Sequence, residues 1–349
     1  MNKITKIGVT ALCGSLATIA SAQAGEMTAT GSATMTYVSL GGDGGQTTGN
    51  PLGMASGLTF AGSGELDGGQ TFTVTFGHSD KNTYDASSVV LTTNSLGTFN
   101  FSQAGGGNGI GGYDDNVPTA WEETSGTAVT VGADMAKGVG SSMNIEWTSP
   151  SFMGSNLQLA YAPQNDGVKV NDKAGSATNA TKHEAWDAVL DINTAGDNYM
   201  PNIFVGYSHS KQDAGGGTGK EAETEDHEEG TAGIVWTLGP VKAGFQRTIE
   251  YPGNQTAAEL QYYANTFFGV SFNVSDDLSI SYGKAKYKKG FVDSNENPTR
   301  EIEADSIQIA YTMGGASVKI AQTDVDNAQY VTGTANDYEG TTVALSLAF

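Results

Sequence analysis

The chain has almost no cysteine, little proline and few basic residues, and each scarcity excludes something. Its 349 residues hold 1 Cys, 8 Pro and 17 Lys+Arg against 38 Asp+Glu, for a formal net charge of −21. Cys13 lies in an N-terminal segment that reads as a leader, so the rest carries neither disulfides nor cysteine-bound metals. The excess of acid argues against nucleic acid or an anionic membrane surface as a partner. Beyond the leader no stretch approaches 18 consecutive apolar residues, so no α-helical membrane span is written in the sequence. His78, His183, His209 and His227 fall in different segments, with no Ser-His-Asp or metal-ligand spacing. The glycine-rich Gly105–Gly112 lacks the strand–helix setting of a phosphate cradle. The sequence therefore points to no enzyme and to no cofactor.

What is present is concentrated first at the two ends. Lys3 and Lys6, the apolar Ile7–Ala20 and the small-residue site Ala22-Gln23-Ala24 make residues 1–24 a cleavable secretory signal. The mature chain, 25–349, then reads as one domain with no linker and no internal repeat. At the other end Thr341, Val343, Leu345, Leu347 and Phe349 form one face of a strand, with Thr342, Ala344, Ser346 and Ala348 on the other. A soluble domain seldom stops on a terminal aromatic with no polar tail.

The same period of two runs through the chain. Met27, Ala29, Gly31, Ala33, Met35 and Tyr37 alternate with Thr28, Thr30, Ser32, Thr34 and Thr36. A face of threonine and serine opposite an apolar one suits a wall with water on one side and lipid on the other. Tight turns such as Asp67-Gly68-Gly69, Leu238-Gly239-Pro240 and Met313-Gly314-Gly315 alternate with long polar segments, among them 41–50, 103–127, 165–181, 212–229 and 290–303. The pattern predicts an all-β fold: a transmembrane antiparallel β-barrel of about sixteen strands, each with a fully apolar outer face. Residues 127–135 (TAVTVGADM) read either as a further strand or as part of a loop.

One internal run narrows the reading. Ser141–Pro163 (SSMNIEWTSPSFMGSNLQLAYAP) resembles the mid-chain hallmark of the Gram-negative general porins, and Leu96–Phe101 (LGTFNF) is similar to the strand before their constriction loop. The resemblance covers the whole chain in order, from signal to Phe349. It implies a trimer in the outer membrane of a Gram-negative bacterium, assembled by the barrel-assembly machinery through Leu345, Leu347 and Phe349. It also implies a third extracellular loop folded into the pore, and passage of small hydrophilic solutes. That loop is expected at 104–126, with Asp114, Asp115, Glu122 and Glu123 at the constriction and Glu146 of lumen-facing parity nearby.

The family's opposed basic wall is harder to find. The chain has two arginines, Arg247 and Arg300, and Arg247 shares parity with apolar Phe245, which implies a bulge or a position above the lipid. Lys242 and Lys319 have lumen-facing parity, but each follows a short turn and is expected near the periplasmic mouth. With few cations to oppose the acids, a moderate cation preference is expected. Trp121, Tyr161, Trp186 and Tyr263 are the candidates for a sugar-binding aromatic ladder, which a solute-specific porin would need. Glu221–Glu229 reads as a solvated loop; its clustered carboxylates suit a structural Ca²⁺ bridging to lipopolysaccharide. Asp80–Ala86 is the candidate latch onto a neighbouring subunit. A β-rich surface adhesin or structural protein is the alternative from another class.

Overall fold

In the computed structural model sixteen strands close into one antiparallel barrel, each paired with its sequence neighbours and the last paired back to the first. Residues 27–349 are described, apart from 45–46, 81–85, 104–106, 127–128, 130, 141, 166–181, 194–199, 213–224, 254–259 and 293–297. The expected signal and the middle of Asp80–Ala86 lie outside the described residues, as do residues 221–224 of the acidic run; His227–Glu229 at its end open a strand and are not the solvated loop expected. The first five strands are β1 (Met27–Gly41), β2 (Leu52–Glu65), β3 (Thr71–Ser79), β4 (Ala86–Thr92) and β5 (Thr98–Gln103). After a long connection come β6 (Asn144–Thr148), β7 (Asn156–Ala162), β8 (Lys182–Ile192), β9 (Asn202–Gln212) and β10 (His227–Leu238). The circuit ends with β11 (Val241–Tyr251), β12 (Leu260–Asn273), β13 (Leu278–Phe291), β14 (Arg300–Met313), β15 (Ala316–Asp326) and β16 (Tyr338–Ala348).

Alternation decides which side chain goes where. In β1, Met35 and Tyr37 point outward and are 43% and 52% exposed, whereas Thr34 and Thr36 turn inward and Thr34 meets Ser346 of β16 at 2.9 Å. The closing seam is completed by the terminal residue. Phe349 and Gly31 exchange both backbone hydrogen bonds at 3.0 Å, and the phenyl ring lies over Gly31, where any Cβ would strike it.

Two features differ from the sequence expectation, and one alternative that it left open is decided. Several strands run further than their apolar alternation suggests: β2 begins at Leu52, β10 at His227 and β14 at Arg300. In β10 and β14 the backbone ladder continues above the apolar band, where polar side chains hide the signal, whereas the added part of β2 is apolar and alternates Leu52 and Met54 with Gly53 and Ala55. Residues 127–135 form no strand among the described residues; they belong to the connection between β5 and β6. The outer face, finally, is not apolar everywhere. Lys284, Lys286 and Lys288 of β13 share the outward face with Glu301, Glu303 and Asp305 of β14 and form a ladder of ion pairs, including Lys284–Glu303 at 3.1 Å and Lys288–Glu301 at 3.2 Å. Arg247 follows from the same belt. No bulge interrupts β11: Arg247 stands opposite Ala232 and Thr266, and Thr266 in turn stands opposite Lys286.

Candidate functional site

The connection between β5 and β6 extends to residue 143, beyond the expected end at Gly126, and lies against the inner wall from β8 to β14. Its outgoing limb is pinned by polar side chains of strands far apart in sequence. Asn108 donates to Asn144 Oδ1 at 2.6 Å and accepts from Asn100 Nδ2 at 3.0 Å. The Gly109 N–H donates to Glu146 Oε2 at 2.7 Å. Asp187 of β8, only 1% exposed, takes the Ile110 N–H at 3.1 Å and the Val139 N–H at 3.0 Å on one carboxylate oxygen. One side chain thus holds the outgoing and the returning limbs together. Gly109 and Gly138 flank it with φ of +61° and +54°, and a Cβ at either would lie 1.9 or 2.1 Å from Asp187 Oδ2. Only glycine fits there, for conformation and for space.

The middle of the loop crosses a trough in the wall. Gly244, Gly269 and Gly283 stand in register on the inner faces of β11, β12 and β13, so three adjacent strands present no side chain in that row. Val117 and Pro118 lie over the first two glycines, and Thr124 over the third. The Tyr113 carbonyl accepts from Thr231 Oγ1 at 2.9 Å and Gln246 Nε2 at 2.6 Å. Gln308 Oε1 accepts the Trp121 and Glu122 N–H groups, both at 3.0 Å, while its amide donates to the Glu122 carbonyl at 2.8 Å. The returning limb buries Val129 and Val131 against Phe267, Tyr287, Ile302 and Tyr330. Asn265 Nδ2 then donates to the Asp134 carbonyl at 2.8 Å, and Glu229 of β10 accepts the Lys137 and Gly138 N–H groups.

Asp114, Asp115, Glu122 and Glu123 gather around one groove of about 310 Å³, which Trp121 also lines. Burial pushes the Asp115 carboxyl up to about 8, with Glu123 and Asp114 adding repulsion. Asp114 is raised by burial, and Glu123 by burial and then by Asp114 and Glu122. Glu146 stands apart from the groove, committed to the Gly109 N–H.

Of the two lysines, Lys242 points inward opposite Thr237 and Ser271. Lys319 reaches the loop: its ammonium lies 5.6 Å from the Trp121 ring centroid, and it lines a cavity of about 560 Å³ with Ala120, Asp276 and Asp277. Among the described residues the inner faces of β1–β5 and β16 carry no Lys or Arg; Thr28, Thr30, Ser32, Thr73, Thr75 and Ser88 are typical, and the loop reaches β5 only through Asn108 on Asn100. Tyr161 and Trp186 face outward, 46% and 44% exposed, and Tyr263 packs on Tyr330, so three of the four candidate ladder aromatics do not form a ladder.

Asp187, Gln246 and Gln308 were not singled out by the sequence, and Glu229 was read only as the end of an acidic loop. Each sits at an inward position of a strand, and that parity is the only signal that could have marked them.

The profile of the Gram-negative porin family matches residues 8–312. No curated protein matches the sequence. Solved structures share the fold over nearly the whole chain. The anion-selective porin from Comamonas acidovorans superposes with a TM-score of 0.63 at 16% identity, covering 93% of this chain and 99% of its own. The Salmonella typhi OmpF complex with daunomycin gives 0.64 at 11%, covering 93% and 98%. The trimer form of Vibrio cholerae OmpT gives 0.64 at 10%, covering 93% and 100%.

Proposed function

We propose, from the premise that this chain belongs to the Gram-negative porin family, that the acidic groove of the β5–β6 loop borders the narrowest part of its channel. The protein is an outer-membrane channel for passive diffusion and a carrier of no catalytic step. In this reading Asp114, Asp115, Glu122 and Glu123 form one side of the constriction. The hydroxyl-rich inner faces of β1–β5 form the other.

The observation that carries the reading is the missing counter-charge. Four carboxylates share one groove, and the wall of β1–β5 offers no lysine or arginine. Two unit charges about 4 Å apart interact by roughly 4 kcal/mol at an effective dielectric near 20. An uncompensated acid cluster therefore favours a passing cation over an anion. Reversal potentials in a salt gradient across a planar bilayer should show cation preference, stronger at low salt. The double variant Asp114→Asn, Asp115→Asn should weaken it and leave folding intact. Anion preference in the unaltered channel would overturn the reading and point to Lys319, beneath the loop, as the dominant charge.

Three identical subunits form the assembly in this reading, embedded in outer-membrane lipid and lipopolysaccharide and inserted by the barrel-assembly machinery. The uncharged outward face of β1 and β2 supports it. A resident cofactor has no part in this function.

A further inference from the structure

The inner wall holds a cluster that pore lining does not explain. Glu229 of β10 and Glu250 of β11 stand directly opposite each other in the ladder, both inward, and His227 lies two residues before Glu229 on the same face. Their side chains are 5%, 12% and 7% exposed. His227 Nε2 lies 3.3 Å from Glu229 Oε1 and 3.1 Å from Glu250 Oε1, and one ligand atom from each residue falls within 4.8 Å of the others. Like charges directly opposed across strands repel, and burial removes the water that would screen them. Among the described residues no Lys or Arg forms an ion pair with either carboxylate. Lys137, the cation of the adjoining loop, is engaged with Asp134 at 2.6 Å.

We propose that His227, Glu229 and Glu250 bind one divalent cation of the zinc class, which clamps the returning limb of the constriction loop to the wall. One imidazole nitrogen and two carboxylate oxygens are a donor set that suits zinc, with the fourth position left to water. Ligand atoms about 2.0–2.2 Å from a tetrahedral zinc stand roughly 3.3–3.6 Å from one another. The two nitrogen–oxygen separations are already close to that range. The second oxygen of Glu229 holds the Lys137 and Gly138 N–H groups, so the same side chain would join ion and loop. The site lies on another part of the wall from the acidic groove and stands whether or not that groove sets selectivity.

The test is calorimetric titration of Zn²⁺ into the full-length protein folded in detergent, against the variants His227→Ala and Glu250→Gln. Glu250→Gln keeps volume and hydrogen bonding, so it reports on the site even if His227→Ala folds poorly. Heat-modifiable migration on a denaturing gel verifies the barrel in each. One saturable ion per subunit is expected, with affinity falling at least about tenfold in either folded variant. Co²⁺ in place of Zn²⁺ should give the absorption of a four-coordinate nitrogen–oxygen site. Absence of saturable Zn²⁺ binding would overturn the proposal and leave the cluster as a histidine packed between two carboxylates without an ion. Zn²⁺ binding unchanged in Glu250→Gln would overturn it as well, placing the ion on other carboxylates.

Discussion

Asp187 ties the outgoing and returning limbs of the loop to one point on the wall. Its one oxygen receives N–H groups from both limbs. A hydrogen bond to a charged group is worth about 1.5–3 kcal/mol, and loss of the acceptor leaves buried donors unpaired. Asp187→Ala should free the loop without unfolding the barrel, whose ladder does not depend on it. Single-channel recording should show a larger or noisier conductance; a conductance identical to that of the unaltered protein would remove Asp187 from its role. Asp115 gives a pH prediction. Its carboxyl is raised from 3.8 to about 8, so it is neutral below that value and charged above it. Cation preference should therefore rise between about pH 6 and pH 9, and Asp115→Asn should flatten the rise. These roles were only half legible in the sequence. The acidic pair stood out because the family resemblance placed its loop at the constriction. Asp187 did not, because an acid at an inward strand position looks the same whether it faces water or a folded-back loop, and Glu229 was read as the end of an acidic loop rather than as part of the wall.

At the scale of elements the strands were legible and the loop's length was not. Period-two alternation is a local property, and it predicted about sixteen strands where sixteen form, with the larger boundary errors at the long-loop ends. Val129 and Val131 alternate with small residues as a strand would. Their apolar faces answer instead to Phe267 and Tyr287 on the wall, a contact between segments far apart in the chain. The glycine trough under Pro118 was hidden for the same reason: Gly244, Gly269 and Gly283 become a row only once three strands are set in register. The closing strand yields a prediction of its own. Phe349 completes the seam with two backbone bonds to Gly31 and a ring laid over it. Deletion of Phe349 should leave the chain unassembled in the periplasm, as fractionation would show. Normal outer-membrane levels of the shortened chain would mean that Ala348 and the residues before it suffice for closure.

For the whole molecule, the outer wall is lopsided. On β13–β15 the outward face is apolar only near the short turns, as at Ile280, Tyr282, Ile307 and Ile309; above them come Lys284, Lys286, Glu301, Glu303, Asp305, Asp324 and Asp326. On β1 and β2 the outward face stays uncharged to the long-loop end: Met35, Tyr37, Leu52 and Met54 are 43%, 52%, 67% and 76% exposed. Lipid alone would not call for such a difference, since all sides of a lone barrel meet the same membrane. A wall whose apolar surface continues above the charged belt of the other side is suited to a neighbour of equal height. Small Ala29 and Ala33 let that neighbour approach closely, and flexible methionines fill what gaps remain. A charge placed there meets either lipid, at a cost of about 2–4 kcal/mol at mid-membrane, or its own copy on the next subunit. Ala33→Arg should accordingly reduce the assembly to monomers that still show heat-modifiable migration, while the unaltered protein cross-links in mild detergent at three times the subunit mass. The same substitution at outward Ala232, beside Arg247 on the far side of the barrel, should leave the trimer whole. If both variants remain trimeric, the uncharged face is lipid-facing and the subunits meet elsewhere. If both fall to monomers, charge disturbs insertion in general and the lopsided wall says nothing about a partner.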